Sequence, residues 1–72
     1  MENLTHQQKL GRNIKLLRLE KNLSQEQLGL EAEISRSYIG KIERGEANPS
    51  EIYYYRIAEA LNVKMETLFK DS

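Results

Sequence analysis

Two helix-start signals stand close together near the middle of the chain, and they constrain the fold more than any other feature. Ser24 is followed by Gln27 at the spacing of a capping box. In that motif the serine hydroxyl accepts from a backbone N–H while the glutamine reaches back to the cap. Ser35 is a second N-cap candidate. Between them Leu28 and Ala32 fall on one helical face, so a helix of about two turns opens at Gln25 and ends near Ala32 or Glu33. A new helix then begins within about three residues. So short a connection cannot fold two helices back antiparallel. They must cross steeply.

The remaining periodicity is also helical, with no alternating strand pattern. A first helix, from Thr5 or Gln8 to Lys21, carries Leu10, Ile14, Leu17 and the stem of Lys21 on one face. Asn22 follows it and suits the left-handed position that ends a helix. The third helix runs from Arg36 to about Arg44, with Ile39 and Ile42 inward and Gly45 as its stop. "EANPS" is a loop whose Ser50 caps a fourth helix over 51–61, which buries Ile52 or Tyr55 together with Ile57, Ala58 and Leu61. Asn62 ends that helix, and Met65, Leu68 and Phe69 form the inner face of a short fifth one. The expectation is an all-α chain of five short helices in one domain spanning 1–72, with its core over about 10–69.

Composition excludes several function classes. The 72 residues include no cysteine, and His6 has no second histidine with which to share a metal. No apolar run approaches the ~20 residues of a membrane span, and the polar N-terminus lacks a signal-peptide core. A cytoplasmic protein without cofactor or small-molecule ligand is expected. No nucleophile stands with a base partner and no glycine-rich phosphate loop is present, so an enzyme is not expected. Eleven Lys and Arg balance eleven Asp and Glu. Any nucleic-acid binding must then rest on where the cations lie.

The run "LSQEQLGLEAEISRSYIGKIERGEANPS" resembles the helix-turn-helix of Cro/repressor (XRE-type) transcription regulators, and "RIAEALNV" with "ETLF" resembles the closing two helices of that family. The resemblance implies a lambda-repressor-like fold and a homodimer that binds a palindromic double-stranded DNA operator. It also implies that Arg18 of the first helix pairs with Glu43 of "IERG" inside the domain. Three positions depart from the family pattern. Glu33 replaces the usual turn glycine, at a left-handed cost of about 1 kcal/mol. Gly29 replaces an alanine, and Lys64 replaces a Ser or Thr cap.

With Ile39 and Ile42 inward, helical spacing turns Arg36, Ser37, Gly40, Lys41 and Arg44 outward. In a helix-turn-helix the start of this helix meets base edges in the major groove. Arg36 can grip guanine O6 and N7, Ser37 can bond several bases, and Lys41 can reach a neighbouring base or a phosphate. Gly40 leaves the surface flat for close approach. Backbone contacts are expected from Gln25 at a helix N-terminus, where backbone N–H groups favour phosphate, from the cap Ser35, and from Arg44. Tyr38 offers a phosphate contact or core filling against helix two. Asn48 and Ser50 offer phosphate donors or plain loop and cap chemistry. Outer helices and tail would hold Glu20, Glu51, Glu59, Glu66 and Asp71, with Lys9, Arg12 or Lys15 joining the DNA side.

One such domain reads only a few base pairs, so a two-fold dimer is expected. Tyr53, Tyr54 and Tyr55 are consecutive and cannot all face one core. An exposed tyrosine, expected at Tyr54, beside Met65, Leu68 and Phe69 would form the interface. The expected function is a small repressor or restriction-modification controller acting by occupancy and protein contacts, RNA polymerase among them. A protein-interaction module of the antitoxin type is the alternative.

Overall fold

A computed structural model describes residues 3–70 and contains five helices: α1 (His6–Glu20), α2 (Gln25–Ala32), α3 (Arg36–Glu43), α4 (Glu51–Leu61) and α5 (Met65–Leu68). Asp71 lies outside the described residues. No strand occurs among the described residues. α3 packs between α1 and α2, α2 also packs on α4, and α5 closes the bundle against α4 and α1.

Local chemistry sets where each helix starts. At Ser24 both capping-box bonds form, Gln27 N–H to Ser24 Oγ at 3.0 Å and Ser24 N–H to Gln27 Oε1 at 2.7 Å. The same box forms at Thr5 and Gln8, which settles the start of α1 at His6. Ser35 Oγ accepts from Tyr38 N–H at 3.1 Å. Ser50 and Lys64 occupy N-cap positions without a side-chain capping bond.

Helix ends repeat one device. After each of α1 to α4 a residue takes positive φ: Asn22 at 60°, Glu33 at 60°, Gly45 at 75° and Asn62 at 58°. The next N–H then bonds back to a carbonyl five residues earlier, as in Leu23 to Arg18, Ile34 to Gly29, Glu46 to Lys41 and Val63 to Ala58. Glycine is needed at Gly45, where a Cβ would also press on the Gln8 backbone. Gly29 has a packing reason, because a Cβ there would stand 2.5 Å from the Ile34 carbonyl oxygen in the α2–α3 turn.

Leu10, Ile14, Leu28, Ile39, Ile42, Ile57, Leu61 and Leu68 form the core. In three places it departs from the pattern read in the sequence. On α1, Lys21 is exposed, and the inner position below Ile14 belongs to Arg18. On α4, Ile52 and Tyr55 are about half exposed, whereas Tyr54 is buried. Positions 54, 57, 58 and 61 keep i, i+3, i+4, i+7 spacing, so Tyr54 completes a stripe that Ile52 and Tyr55 cannot join. On α5, Leu68 is fully buried while Phe69, just past the helix, is 41 % exposed.

Tyr54 and Leu68 therefore belong to the core of the single chain and have no surface to offer a second subunit. The Tyr54 ring meets Phe69 edge-on at 5.4 Å between centroids. Asn13 supplies a tie the sequence pattern does not reveal. Its amide donates to the Leu68 and Lys70 carbonyls at 3.0 and 2.7 Å, holding the short α5 against α1.

Two stability predictions follow from these positions. Glu33→Gly relieves a left-handed side chain and is expected to stabilise by up to about 1 kcal/mol, read as a higher urea midpoint. Burial, reinforced by the neighbouring Tyr38 phenol, raises the Tyr54 pKa above its usual 10.0. The folded state thus holds the Tyr54 proton more tightly than the unfolded state. That contribution is intact below pH 10.0 and is lost as pH rises beyond it. Thermal melts should show a loss of stability above that pH that is smaller in Tyr54→Phe.

Candidate nucleic-acid interface

α3 presents two chemically distinct sides. Ile39 and Ile42 are buried, as is its one carboxylate, Glu43. Its exposed charges are Arg36 and Lys41, with Arg44 at the C-cap. Ser37 is exposed between them, and Ser35 at the N-cap is exposed while its oxygen accepts from Tyr38 N–H. The exposed charges within α3 itself are thus both cations, and the carboxylate nearest to them on the surface is Glu46, just past the helix. The neutral total charge is reached by acids placed elsewhere, with Glu20 ending α1, Glu51 and Glu59 on α4, and Glu66 on α5, all exposed. Lys9 and Lys15 are exposed on α1, and Arg12 is half-buried and engaged.

Beneath this face lies a buried ionic network. Arg18 Nε donates to Glu43 Oε2 at 2.7 Å and Arg18 Nη2 to Glu43 Oε1 at 3.1 Å. The third arm, Nη1, donates to the Leu23 carbonyl at 2.8 Å. Residue exposures of 7 % and 8 % place both charges in the interior. There a bidentate pair with its remaining donors satisfied avoids the cost of isolated buried charge. Gly11 makes this approach possible, because a side chain there would collide with the Ile42 and Glu43 carbonyls.

Gln25 joins the same network. Its Nε2 donates to Glu43 Oε1 at 3.0 Å. Gln25 was expected to meet a phosphate at this helix N-terminus, but its side-chain amide is engaged inside the domain. In the structure it is turned inward and half-buried, which leaves the backbone N–H groups of the first α2 turn as what that helix end presents. Gly40 also differs from expectation, since it is buried rather than a bare exposed surface. A Cβ there would meet Arg44 Nη1 at 3.1 Å and the Gln25 amide oxygen at 3.6 Å. The Gly40 surface is thus covered by the Arg44 guanidinium and the Gln25 amide.

The remaining positions are as follows. Arg44 is exposed and pairs with Glu46 at 3.1 Å, a surface contact that adds little stability. Tyr38 is half-buried against the core, and its ring packs on Tyr53 of α4, with centroids 5.5 Å apart. Arg56 covers that Tyr53 ring at 5.7 Å. Asn48 and Ser50 are exposed on either side of the buried Pro49. The Ser50 hydroxyl makes no capping bond, so it is open to an outside acceptor.

Residues 14–68 match the helix-turn-helix family. The chain belongs to that family. This helix-turn-helix protein is 41 % identical over 61 residues to the HTH-type transcriptional regulator SlrR of Bacillus subtilis, covering 83 % of the present chain. It spans only 40 % of SlrR's length. It is 41 % identical over 59 residues to the control protein C.BamHI of Bacillus amyloliquefaciens, covering 81 % of this chain and 73 % of that one. The crystal structure of the restriction-modification controller protein C.AhdI from Aeromonas hydrophila superposes with a TM-score of 0.87 at 38 % identity, covering 88 % of this chain and 96 % of that one. The five helices thus form a lambda-repressor-like helix-turn-helix fold, with α2 and α3 as its central pair. The family is one of DNA-binding transcription regulators and not of enzymes. Among the described residues no helix is long and apolar enough to cross a membrane, and no group of three or more His, Cys, Asp or Glu is placed to hold a metal ion.

The buried pair gives a direct stability test of this helix-turn-helix protein. Arg18→Met strands the Glu43 carboxylate in the interior and is expected to cost about 3–5 kcal/mol in urea denaturation. Arg18→Met with Glu43→Leu removes both charges and should recover most of that loss.

Proposed function

We propose that the chain is a sequence-specific regulator that binds a palindromic double-stranded DNA operator as a homodimer, in the manner of a small repressor or restriction-modification controller. One observation carries this reading. α3 shows a face whose only charges are cations, while its carboxylate is locked inside against Arg18. A solvated surface helix has no need for that separation.

In this reading Arg36 at the start of α3 reads guanine through its fork, and Ser37 and Lys41 read adjacent positions. Ser35, Tyr38, Arg44, Asn48 and Ser50, together with the backbone N–H of Gln25, contact phosphates. The 38 % identity and TM-score of 0.87 with C.AhdI, and 41 % identity with C.BamHI, favour the controller type of action. The regulator then acts by occupancy beside a promoter and by contact with RNA polymerase, in the cytoplasm.

Because Tyr54 and Leu68 are buried in the core, the proposed dimer surface is drawn from their exposed neighbours. Glu51, Ile52, Tyr55 and Met65 line one groove, in which Ile52 and Tyr55 are about half exposed, and Phe69 is exposed in part against the buried Tyr54. These exposed apolar side chains of α4 and α5 support a two-fold interface that uses Ile52, Tyr55, Met65 and Phe69.

Selection from random duplex DNA should enrich a palindrome with half-sites about one helical turn apart. Arg36→Ala should relax preference at one position per half-site by about 1–3 kcal/mol. Tyr55→Glu should shift sedimentation toward monomer and weaken operator binding together. Recovery of no enriched palindrome would sink the proposal.

A further inference from the structure

Glu46 is a carboxylate in a segment that otherwise offers donors. Over residues 44–50 exposure alternates. Arg44, Glu46, Asn48 and Ser50 are exposed, while Gly45 and Ala47 are half-buried and Pro49 is buried. The exposed members are thus a guanidinium, an acid, an amide and a hydroxyl. Three of the four suit a phosphate, and the acid repels it.

The backbone fixes where that acid stands. Gly45 takes φ 75°, and the Glu46 N–H bonds back to the Lys41 carbonyl at 2.9 Å. Residue 46 is therefore folded back onto the last turn of α3. From there Glu46 Oε2 stands 3.1 Å from Arg44 Nε. Gly40 makes room for another part of the same guanidinium, since the position of a Cβ there is 3.1 Å from Arg44 Nη1. The Arg44 head thus lies over the α3 backbone with Glu46 on its Nε edge. Both side chains are more than half exposed, at 57 % and 56 %. Water and salt reach such a pair, so it adds little to folding. What it changes is what Arg44 offers to an outside anion.

We infer that Glu46 is an internal competitor for phosphate, whose carboxylate occupies Arg44 and holds down the attraction of the chain for any duplex DNA. The inference rests on the DNA-binding reading above, in which Arg44 meets a phosphate. An arginine fork that already holds a carboxylate must release or share it before it takes a phosphate oxygen. Glu46 acts through Arg44 and not through a DNA contact of its own. Base reading by Arg36, Ser37 and Lys41 does not pass through this pair. The pair therefore sets how tightly the chain holds a duplex, and leaves which duplex it prefers to the start of α3.

The test is a double-mutant cycle on the full chain, with Glu46→Gln, Arg44→Gln and the two together. Affinity for random duplex and for the selected operator is measured over a salt series. The gain from Glu46→Gln should be about three-fold larger with Arg44 present than in the Arg44→Gln background, on both duplexes. The salt slope should steepen by about one per subunit only where Arg44 is present, because one more phosphate is then neutralised. The base preference recovered by selection should stay the same. Equal gains in the two backgrounds would make Glu46 a distant charge that does not act through Arg44, and would overturn the inference. A loss of affinity in Glu46→Gln would mean that the carboxylate aims Arg44 at phosphate, with the same consequence. A changed base preference would place the pair at a base edge and also overturn it. Wild-type protein that binds operator and random duplex alike would instead overturn the DNA-binding reading on which the inference rests.

Discussion

The buried Arg18–Glu43 pair is the interaction on which the rest of the arrangement depends. It joins α1 to the last residue of α3, and it gathers the Leu23 carbonyl and the Gln25 amide around the same two side chains. An ion pair in the interior is not a cheap source of stability, because desolvation offsets much of the attraction. Its value lies in specifying one geometry. A carboxylate with three donors and a guanidinium with all its arms engaged fit together in a single way, whereas leucines in their place could slide. Gly11 completes the fit by letting the α1 backbone close on the final carbonyls of α3.

The pair also bears on the charge pattern. α3 carries two exposed cations and a carboxylate within eight residues, and neutralisation on the surface would cancel the field. Burying Glu43 against a cation from another helix takes both charges out of the surface account and leaves Arg36 and Lys41 to solvent. A chain with no net charge can thus present a face of one sign. The helix ends serve the same geometry. Positive-φ residues at 22, 33, 45 and 62 stop each helix sharply, and Glu33 accepts a side-chain strain so that α3 can start where the crossing needs it.

Legibility in the sequence followed the range of the interactions. Ser24, Ser35, Asn22, Asn62 and Gly45 act through hydrogen bonds spanning three to five residues, so their spacing sufficed to place α2, α3 and the ends of α1 and α4. The outward set on α3 was equally legible, because two buried isoleucines fix the phase of so short a helix. The three tyrosines were not. Three consecutive rings obscure the phase, although spacing from Ile57, Ala58 and Leu61 favours Tyr54, and packing against Phe69 and the core holds Tyr54 inside and leaves Tyr55 outside. Leu68 was read both as the inner face of α5 and as part of an interface, and its full burial bears out the first and not the second, a choice that a four-residue helix, with no periodicity of its own, does not display.

Contacts between distant segments were beyond reach of any local pattern. Asn13 meets the carbonyls of Leu68 and Lys70 across nearly the whole chain, and Gln25 turns from solvent to Glu43 only because α3 passes beneath it. By itself the sequence determined the five helices, the three-residue connection between α2 and α3 and the outward cations Arg36 and Lys41, since each rests on neighbours in the chain and on helical periodicity. Tertiary structure alone decided which polar side chains turn inward and which aromatic stays outside, because those choices follow from what other helices place next to them.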